Sequence, residues 1–471
     1  MTALATDGVG WDTIALSDLL NRRAMSATEL LDLALESYGR LNPAYNAIVT
    51  VDLDGARAAA RRADARQMAG ERIGPFDGIP LSVKDNLHVG GMRATWGSKL
   101  FEFFIAPKDD ITIARLRAAG AVLIGKSNTP ELALAGHTNS PLFGPTCNPW
   151  NTALIPGGSS GGAAASVACG MLSFAVGTDA GGSIRQPAAY TGVVGFKPSA
   201  GRLPRLHGFP ALVLDFQVIG LMSRSVRDID AGLRVMAGPD PRDRASLGFG
   251  TPSDGKKRPL RVAYVSEIAG HPVEPEIAGA VARAAVVMES LGHAVLPLAK
   301  LYDPDMLRSF WSTLSAAGVA RALRGHPRWQ DQVTPFIHET ATRGLAIGAA
   351  DYVDALDLLA QFRVETAEVV EPYDLVLTPT SPVFPWPIEG QPPSTIAGRP
   401  TDSRTPMAFT TFVNATGYPA VSLPCGVSST GLPIGLQLVA QFGQESLLLR
   451  SAAAFEEAAP WRERRPPLFA S

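Results

Sequence analysis

Apolar positions change period along this chain, and each change predicts a different element. Near the N-terminus they recur at helical spacing: Leu30, Leu31, Ala34, Leu35 and Tyr38 share a face behind Ser26 and Glu29, which have capping-box spacing. A second helix is predicted over 55–69, where GARAAARRADARQMA runs into Gly70. Beyond Gly78 short β-like runs alternate with helical stretches: Ile79–Val83, a helix around Ile111–Ala119, then AVLIG at 121–125. Phe174–Gly177, Val193–Phe196, Arg261–Val265 and Ala294–Leu298 continue the alternation, and Leu375–Thr378, Ala420–Leu423 and Ile434–Val439 read as late buried strands. Prolines at strand ends (Pro80, Pro198, Pro379, Pro419) sit where a missing N–H matters least. The pattern predicts an α/β fold around a mixed, largely buried sheet. Residues 302–372 break it with helical periodicity alone, including YVDALDLLAQFRVETAEVVE at 352–371, and read as a helical insertion that covers the site or serves as plain scaffold. With no repeat and no linker, residues 1–471 are expected to form one domain: a core at about 75–240, the insertion, and a C-terminal return to the sheet over 373–471.

The most unusual stretch is Gly157 to Arg185, GGSSGGAAASVACGMLSFAVGTDAGGSIR. Dense glycine costs conformational entropy and implies unusual backbone angles or close backbone approach. Ser159, Ser160 and Ser183 stand at the centres of its two glycine clusters, and Lys84 closes the apolar run DGIPLSVKDN upstream. Two serines and a lysine suffice for a nucleophile, a proton relay and a base. The paired glycines before Ser183 let the N–H groups of Ala180, Gly181, Gly182 and Ser183 converge beside its hydroxyl, as an oxyanion hole requires. A solvent-facing serine on a Gly-Gly turn is the plainer alternative. Lys84 must be neutral to act as base, which burial favours; otherwise it pairs with Asp85 on a surface loop. Thr178, Asp179 and Arg185 flank the cluster and are read as holding its loop by pairing and hydrogen bonds, with Ser160 in support. Arg185 has a second reading, as a contact for a substrate carboxylate. The residues alone leave open which of Ser159 and Ser160 is the relay.

These blocks resemble the amidase signature family. The resemblance includes DGIPLSVKDN (77–86), GKSNTPE (125–131), GPTCNPWN (144–151), the serine block and GVVGFKPSAGRLPR (192–205), then DLVLTPTSP (374–382) and the segment from GYPAVSLPCG to QESLLL (417–449). It is weakest over 206–372. It implies a mixed sheet flanked by helices on both faces, Ser183 as nucleophile, a cis Gly158–Ser159 peptide, Lys84 as base, and Ser159 as relay through its 24-residue spacing from Ser183. No metal or organic cofactor is implied. Cys147 stands where relatives often carry arginine, and His137, Phe143 and Trp150 lie in a loop that lines the acyl pocket or is merely structural.

Other chemistries fit less well. GGSSG at 157–161 satisfies a nucleophile-elbow pattern, but that mechanism needs a later histidine, and the last one is His338. Neither glycine cluster continues into a P-loop. Composition is that of a globular protein, 46% hydrophobic and 18% charged, and a net charge of −2 argues against nucleic acid or a membrane surface as partner. Three scattered cysteines (Cys147, Cys169, Cys425) suit free thiols, and the opening MTALATDGVGWDTIALSDLL has no signal-peptide pattern, so a cytoplasmic location is expected.

The expected activity is hydrolysis of a small, mainly apolar carboxylic amide, hydrazide or anilide, with that molecule as partner and a homodimer as an open possibility. Phe310, Trp311, Leu314, Trp329 and Phe336 would suit such a pocket, or are helix packing. The main alternative within the family is the glutamine-hydrolysing component of a tRNA amidotransferase. Against it, Leu214–Gln217 reads LDFQ where that component has serine-leucine-aspartate-glutamine, and Gly220-Leu221 replaces Gly-Pro. An inactive amide-binding scaffold is the alternative from another class, and it has no chemical need of Lys84, Ser159 and Ser183 together.

Overall fold

The computed structural model describes residues 12–250 and 258–467; the first eleven residues of the opening segment considered above therefore lie outside the described residues. Its centre is one eleven-stranded sheet. In chain order the strands are β1 (Ile48–Val51), β2 (Pro80–Lys84), β3 (Val122–Ser127), β4 (Phe174–Asp179), β5 (Val194–Lys197) and β6 (Val218–Ser223). They continue as β7 (Arg261–Tyr264), β8 (Ala294–Pro297), β9 (Leu375–Pro379), β10 (Ala420–Val427) and β11 (Pro433–Ala440). Their spatial order is β1-β3-β2-β4-β6-β5-β10-β11-β9-β7-β8. The sheet is mixed: β2 runs parallel to both β3 and β4, whereas β4, β6, β5, β10 and β11 pair antiparallel in turn. Strands β9 to β11 enter between β5 and β7, so the C-terminal return completes the sheet from inside.

Helices cover both faces, and period two sorts each strand's side chains between them. Leu375 and Leu377 of β9 join one apolar core, with Phe174, Val176 and Leu436. Val376, between them, joins a second core containing Phe216, Phe310, Phe362 and Phe412. Burial on both faces explains why these strands read as continuous apolar runs rather than alternating ones.

The expected helices form close to their predicted bounds. Ser26 and Glu29 make the reciprocal capping box at the head of Ala27–Tyr45, and Leu53–Ala69 ends on Gly70 in the left-handed conformation at φ 76°. The 302–372 segment folds as Pro304–Leu323, Pro335–Leu345 and Ala349–Val370. Two strands of this sheet lie outside the sequence expectations. β1 has four residues, and β6 (VIGLMS) is an apolar run with no turn signal to bound it; each is a strand because a neighbour supplies its ladder.

Candidate active site

β2 and β4 are adjacent and parallel, so their carboxyl ends reach the same edge of the sheet, where ligands of open α/β sheets bind. Lys84 is the last residue of β2, and Thr178 and Asp179 are the last of β4. Residues 180–184 then turn into the helix Arg185–Thr191. Ser159 and Ser160 arrive at the head of the fully buried helix Gly161–Ala168, and the Ser160 N–H donates to the Ser183 carbonyl (3.1 Å). The Gly158–Ser159 peptide is cis, as the resemblance implies. A Cβ at Gly158 would come within 2.7 Å of the His137 backbone, so only glycine lets these two segments touch.

Lys84 is completely buried and is not a surface lysine paired with Asp85. Asp85 instead accepts from Thr95 and faces Lys126 at 3.7 Å. Lys84 Nζ lies 2.8 Å from Ser159 Oγ, 2.9 Å from Ser160 Oγ, 3.1 Å from Thr178 Oγ1 and 3.4 Å from the Thr178 carbonyl. Burial holds its amine well below the usual lysine value, with the Asp179 charge opposing only in part. The two serines differ in their protons. Ser160 Oγ donates to the Thr178 carbonyl (3.1 Å), which spends its one hydrogen. Of the two serines, Ser159, which accepts from Lys84 Nζ, is therefore the one whose own hydrogen has no partner among the described residues, a distinction the sequence leaves open.

Asp179 and Arg185 form a fully buried pair joined at both ends, Nε to Oδ2 at 3.0 Å and Nη2 to Oδ1 at 2.9 Å. Burial alone would raise the Asp179 carboxyl, but Arg185 outweighs it and holds the group below the usual carboxylate range. Arg185 also donates to the Thr410 carbonyl, Gln437 Oε1 and Asn414 Oδ1. All five guanidinium N–H groups are thus engaged, and the reading of Arg185 as a substrate-carboxylate contact is set aside.

The loop before Ser183 needs one correction. The Gly182 N–H donates to Asp179 Oδ1 (2.8 Å), so it is not free for an oxyanion; its φ of 126° and the Thr410 hydroxyl packed on it fix that direction. Among the described residues, no intramolecular hydrogen bond engages the N–H groups of Ala180, Gly181 or Ser183. These three remain for the expected oxyanion hole, beside a partly exposed Ser183.

The insertion sends one side chain to this loop. Carbons of the Trp311 indole lie 3.2 and 3.3 Å from where a Gly181 Cβ would stand, and Trp311 stacks on Phe216 with ring centroids 5.2 Å apart. Phe310, Leu314 and Trp329 are buried in the second core, and Phe336 is 56% exposed, so these four are packing and surface residues rather than a pocket. Phe143 lies under the Arg93 guanidinium, Trp150 donates to the Thr191 carbonyl, and Cys147 packs at the N-terminal core with its thiol raised by burial. A cavity of about 300 Å³ lies under the 201–219 loop, lined by residues including Arg205, Phe209, Leu214 and Gln217.

Sequence reasoning missed Asn86, Asn414 and Gln437. Asn86 Nδ2 donates to Thr178 Oγ1 (2.9 Å), and Asn414 and Gln437 meet Arg185. The signal that could have found them was a lone amide inside an apolar element, Asn414 in AFTTFVNAT and Gln437 in PIGLQLVA, which burial obliges to find partners.

The sheet, its flanking helices and this edge define the class of amidase signature enzymes. The amidase family model matches residues 29–449, and the chain belongs to that family. A glutamyl-tRNA(Gln) amidotransferase component from Synechococcus sp. (strain CC9605) is 36% identical over 472 residues, covering 94% of this chain and 95% of that one. The structure of 6-aminohexanoate cyclic dimer hydrolase complexed with substrate aligns with a TM-score of 0.87 at 33% identity, over 98% of this chain and 99% of that one. A bacterial aryl acylamidase of the amidase signature family aligns with the same TM-score at 27% identity, over 98% of each chain. The chain is an amide-hydrolysing enzyme acting on carbon–nitrogen bonds. Among the described residues no helix is long and apolar enough to cross a membrane.

Proposed function

We propose that this enzyme is a self-sufficient amidase that hydrolyses a small, mainly apolar amide, hydrazide or anilide through an acyl-Ser183 intermediate. Neutral Lys84 accepts the Ser159 proton as Ser159 takes that of Ser183, and Ser183 Oγ attacks the carbonyl carbon. The N–H groups of Ala180, Gly181 and Ser183 receive the developing oxyanion. The relay then returns the proton to the departing nitrogen, the carbon–nitrogen bond breaks, and ammonia or an amine leaves. Water attacks the ester by the same relay, releasing the acid and restoring Ser183. Every proton is carried by the chain's own groups, and the reading calls for no metal or cofactor. Three free cysteines fit a cytoplasmic setting.

The observation that carries the substrate reading is the Trp311 indole against Gly181, an aromatic wall backed from the core by Phe216. Such a wall favours an apolar acyl group next to the reacting carbonyl. A second reading, glutamine hydrolysis for a tRNA amidotransferase, is favoured by the 36% identity to the Synechococcus protein. One experiment separates them. The purified chain alone is assayed on aliphatic amides, anilides, hydrazides and glutamine, with Ser183→Ala as control. Turnover of simple amides, lost in Ser183→Ala, supports the first reading. Activity on glutamine alone, or on nothing without a partner, supports the second. A Ser183→Ala protein as active as wild type overturns both.

A further inference from the structure

Asn414 lies on the helix Ala408–Thr416, remote in sequence from both glycine clusters and completely buried. Its amide touches three parts of the site. Nδ2 donates to Asp179 Oδ1 (2.8 Å), to the Asp179 carbonyl (3.1 Å) and to the Phe216 carbonyl (3.0 Å), while Oδ1 accepts from Arg185 Nη2 (2.6 Å). Asp179 in turn fixes the N–H groups of Gly182 and Ile184 on either side of Ser183. Phe216 carries the Trp311 indole that packs on Gly181. The same helix sends the Thr410 hydroxyl to the Gly181 carbonyl (2.7 Å), which turns the Gly181 peptide.

From this juxtaposition we infer that Asn414 is a positioning residue that sets the distance between the nucleophile loop and the aromatic wall, and so controls both the rate of acyl transfer and the size of acyl group accepted. This rests on the reading of Ser183 as nucleophile and of Trp311, backed by Phe216, as acyl wall. The physical reason is geometric. One rigid amide plane holds the backbone carbonyls of residues 179 and 216, the first preceding the Ala180 N–H and the second belonging to the residue that backs Trp311. Without the amide both carbonyls lose a buried donor, and each segment relaxes separately. A misplacement of about 1 Å at the reacting groups costs about 100-fold in rate, whereas loosening the wall admits larger acyl groups.

The test uses the full chain and two probes, acetyl and benzoyl p-nitroanilide, with active sites counted by an alkyl fluorophosphonate. Asn414→Leu keeps the volume and removes the amide; Asn414→Ser is polar but too short to bridge residues 179 and 216. The expected result per counted site is a fall in kcat of about 100-fold for Asn414→Leu. Its KM for the acetyl probe stays within about twofold, and the benzoyl-to-acetyl ratio of kcat/KM rises by about fivefold or more in both variants. A merely structural role lowers the count of active sites and leaves kcat per site and the ratio unchanged, and that result overturns the inference. If Asn414→Leu does not fold, an unchanged ratio in Asn414→Ser overturns it and a risen ratio supports it. Ser183→Ala is run beside them. If that variant keeps wild-type activity, the underlying reading has failed; if it is inert and the ratio is unchanged, only the Asn414 inference has.

Discussion

Replacing Asp179 by Asn tests how the Ser183 loop is held. Both carboxylate oxygens accept only from N–H groups: Oδ1 from Gly182, Arg185 Nη2 and Asn414, and Oδ2 from Ile184 and Arg185 Nε. Whichever way the Asn amide turns, its NH2 meets donors and Arg185 keeps a buried charge without a counterion. Removing one partner of a buried pair costs roughly 3–5 kcal/mol, and the lost loop geometry adds nothing that would offset it. Urea unfolding of wild type, Asp179→Asn, Arg185→Met and the double variant measures the cost through the midpoint and slope. The double variant is expected to cost about 2 kcal/mol less than the sum of the singles, because it leaves no uncompensated charge. The pH dependence has a definite sign. The folded carboxyl lies below its unfolded value of about 3.9, so its stabilisation is complete above that value and is lost only as pH falls through the folded one. The carboxyl's own contribution is therefore flat from about pH 5 to 8. The gap between wild type and Asp179→Asn narrows as pH rises through the titration of the buried Lys197 amine, held at about 7, because the Asp179 charge favours its protonated form. A cost under about 1 kcal/mol, strict additivity in the cycle, or a gap that widens as pH rises across that range would refute the argument.

Three further outcomes follow from the same network. Lys84→Met should lower kcat/KM by about 1000-fold or more. Because the folded Lys84 amine titrates below its unfolded value, the unfolded chain binds more protons between the two, so wild-type stability gains on Lys84→Met as pH rises toward 10; denaturation of both proteins at several pH values reads this, and wild-type kcat/KM should climb with pH as the amine loses its proton. Ser159→Ala should cost about 1000-fold and Ser160→Ala only about 10- to 100-fold, since the Ser160 proton is held by Thr178; equal losses in steady-state assays would contradict the proton assignment. Trp311→Ala should raise relative kcat/KM for bulky over small acyl anilides by about tenfold, and an unchanged ratio would place the wall elsewhere.

The sequence by itself determined the local elements and the reactive inventory. Capping at Ser26, termination at Gly70 and the buried runs of the late strands depend on neighbours within a few residues, so they are legible in the chain. The same holds for the glycine-framed serines and for Lys84 at the end of an apolar strand. Tertiary structure alone decided what depends on distant segments. β6 is a strand because β4 and β5 pair with it. Asp179 takes the Gly182 N–H, which removes one of four expected oxyanion donors. Trp311 packs on the Gly181 loop while Phe310 beside it is core, since one position on a helix turns the side chain by about 100°. Asn414 and Gln437 reach Arg185 across 229 and 252 residues. No local pattern encodes such contacts, because they arise only when the C-terminal strands fold back into the middle of the sheet and a buried guanidinium must be given partners for each of its hydrogens.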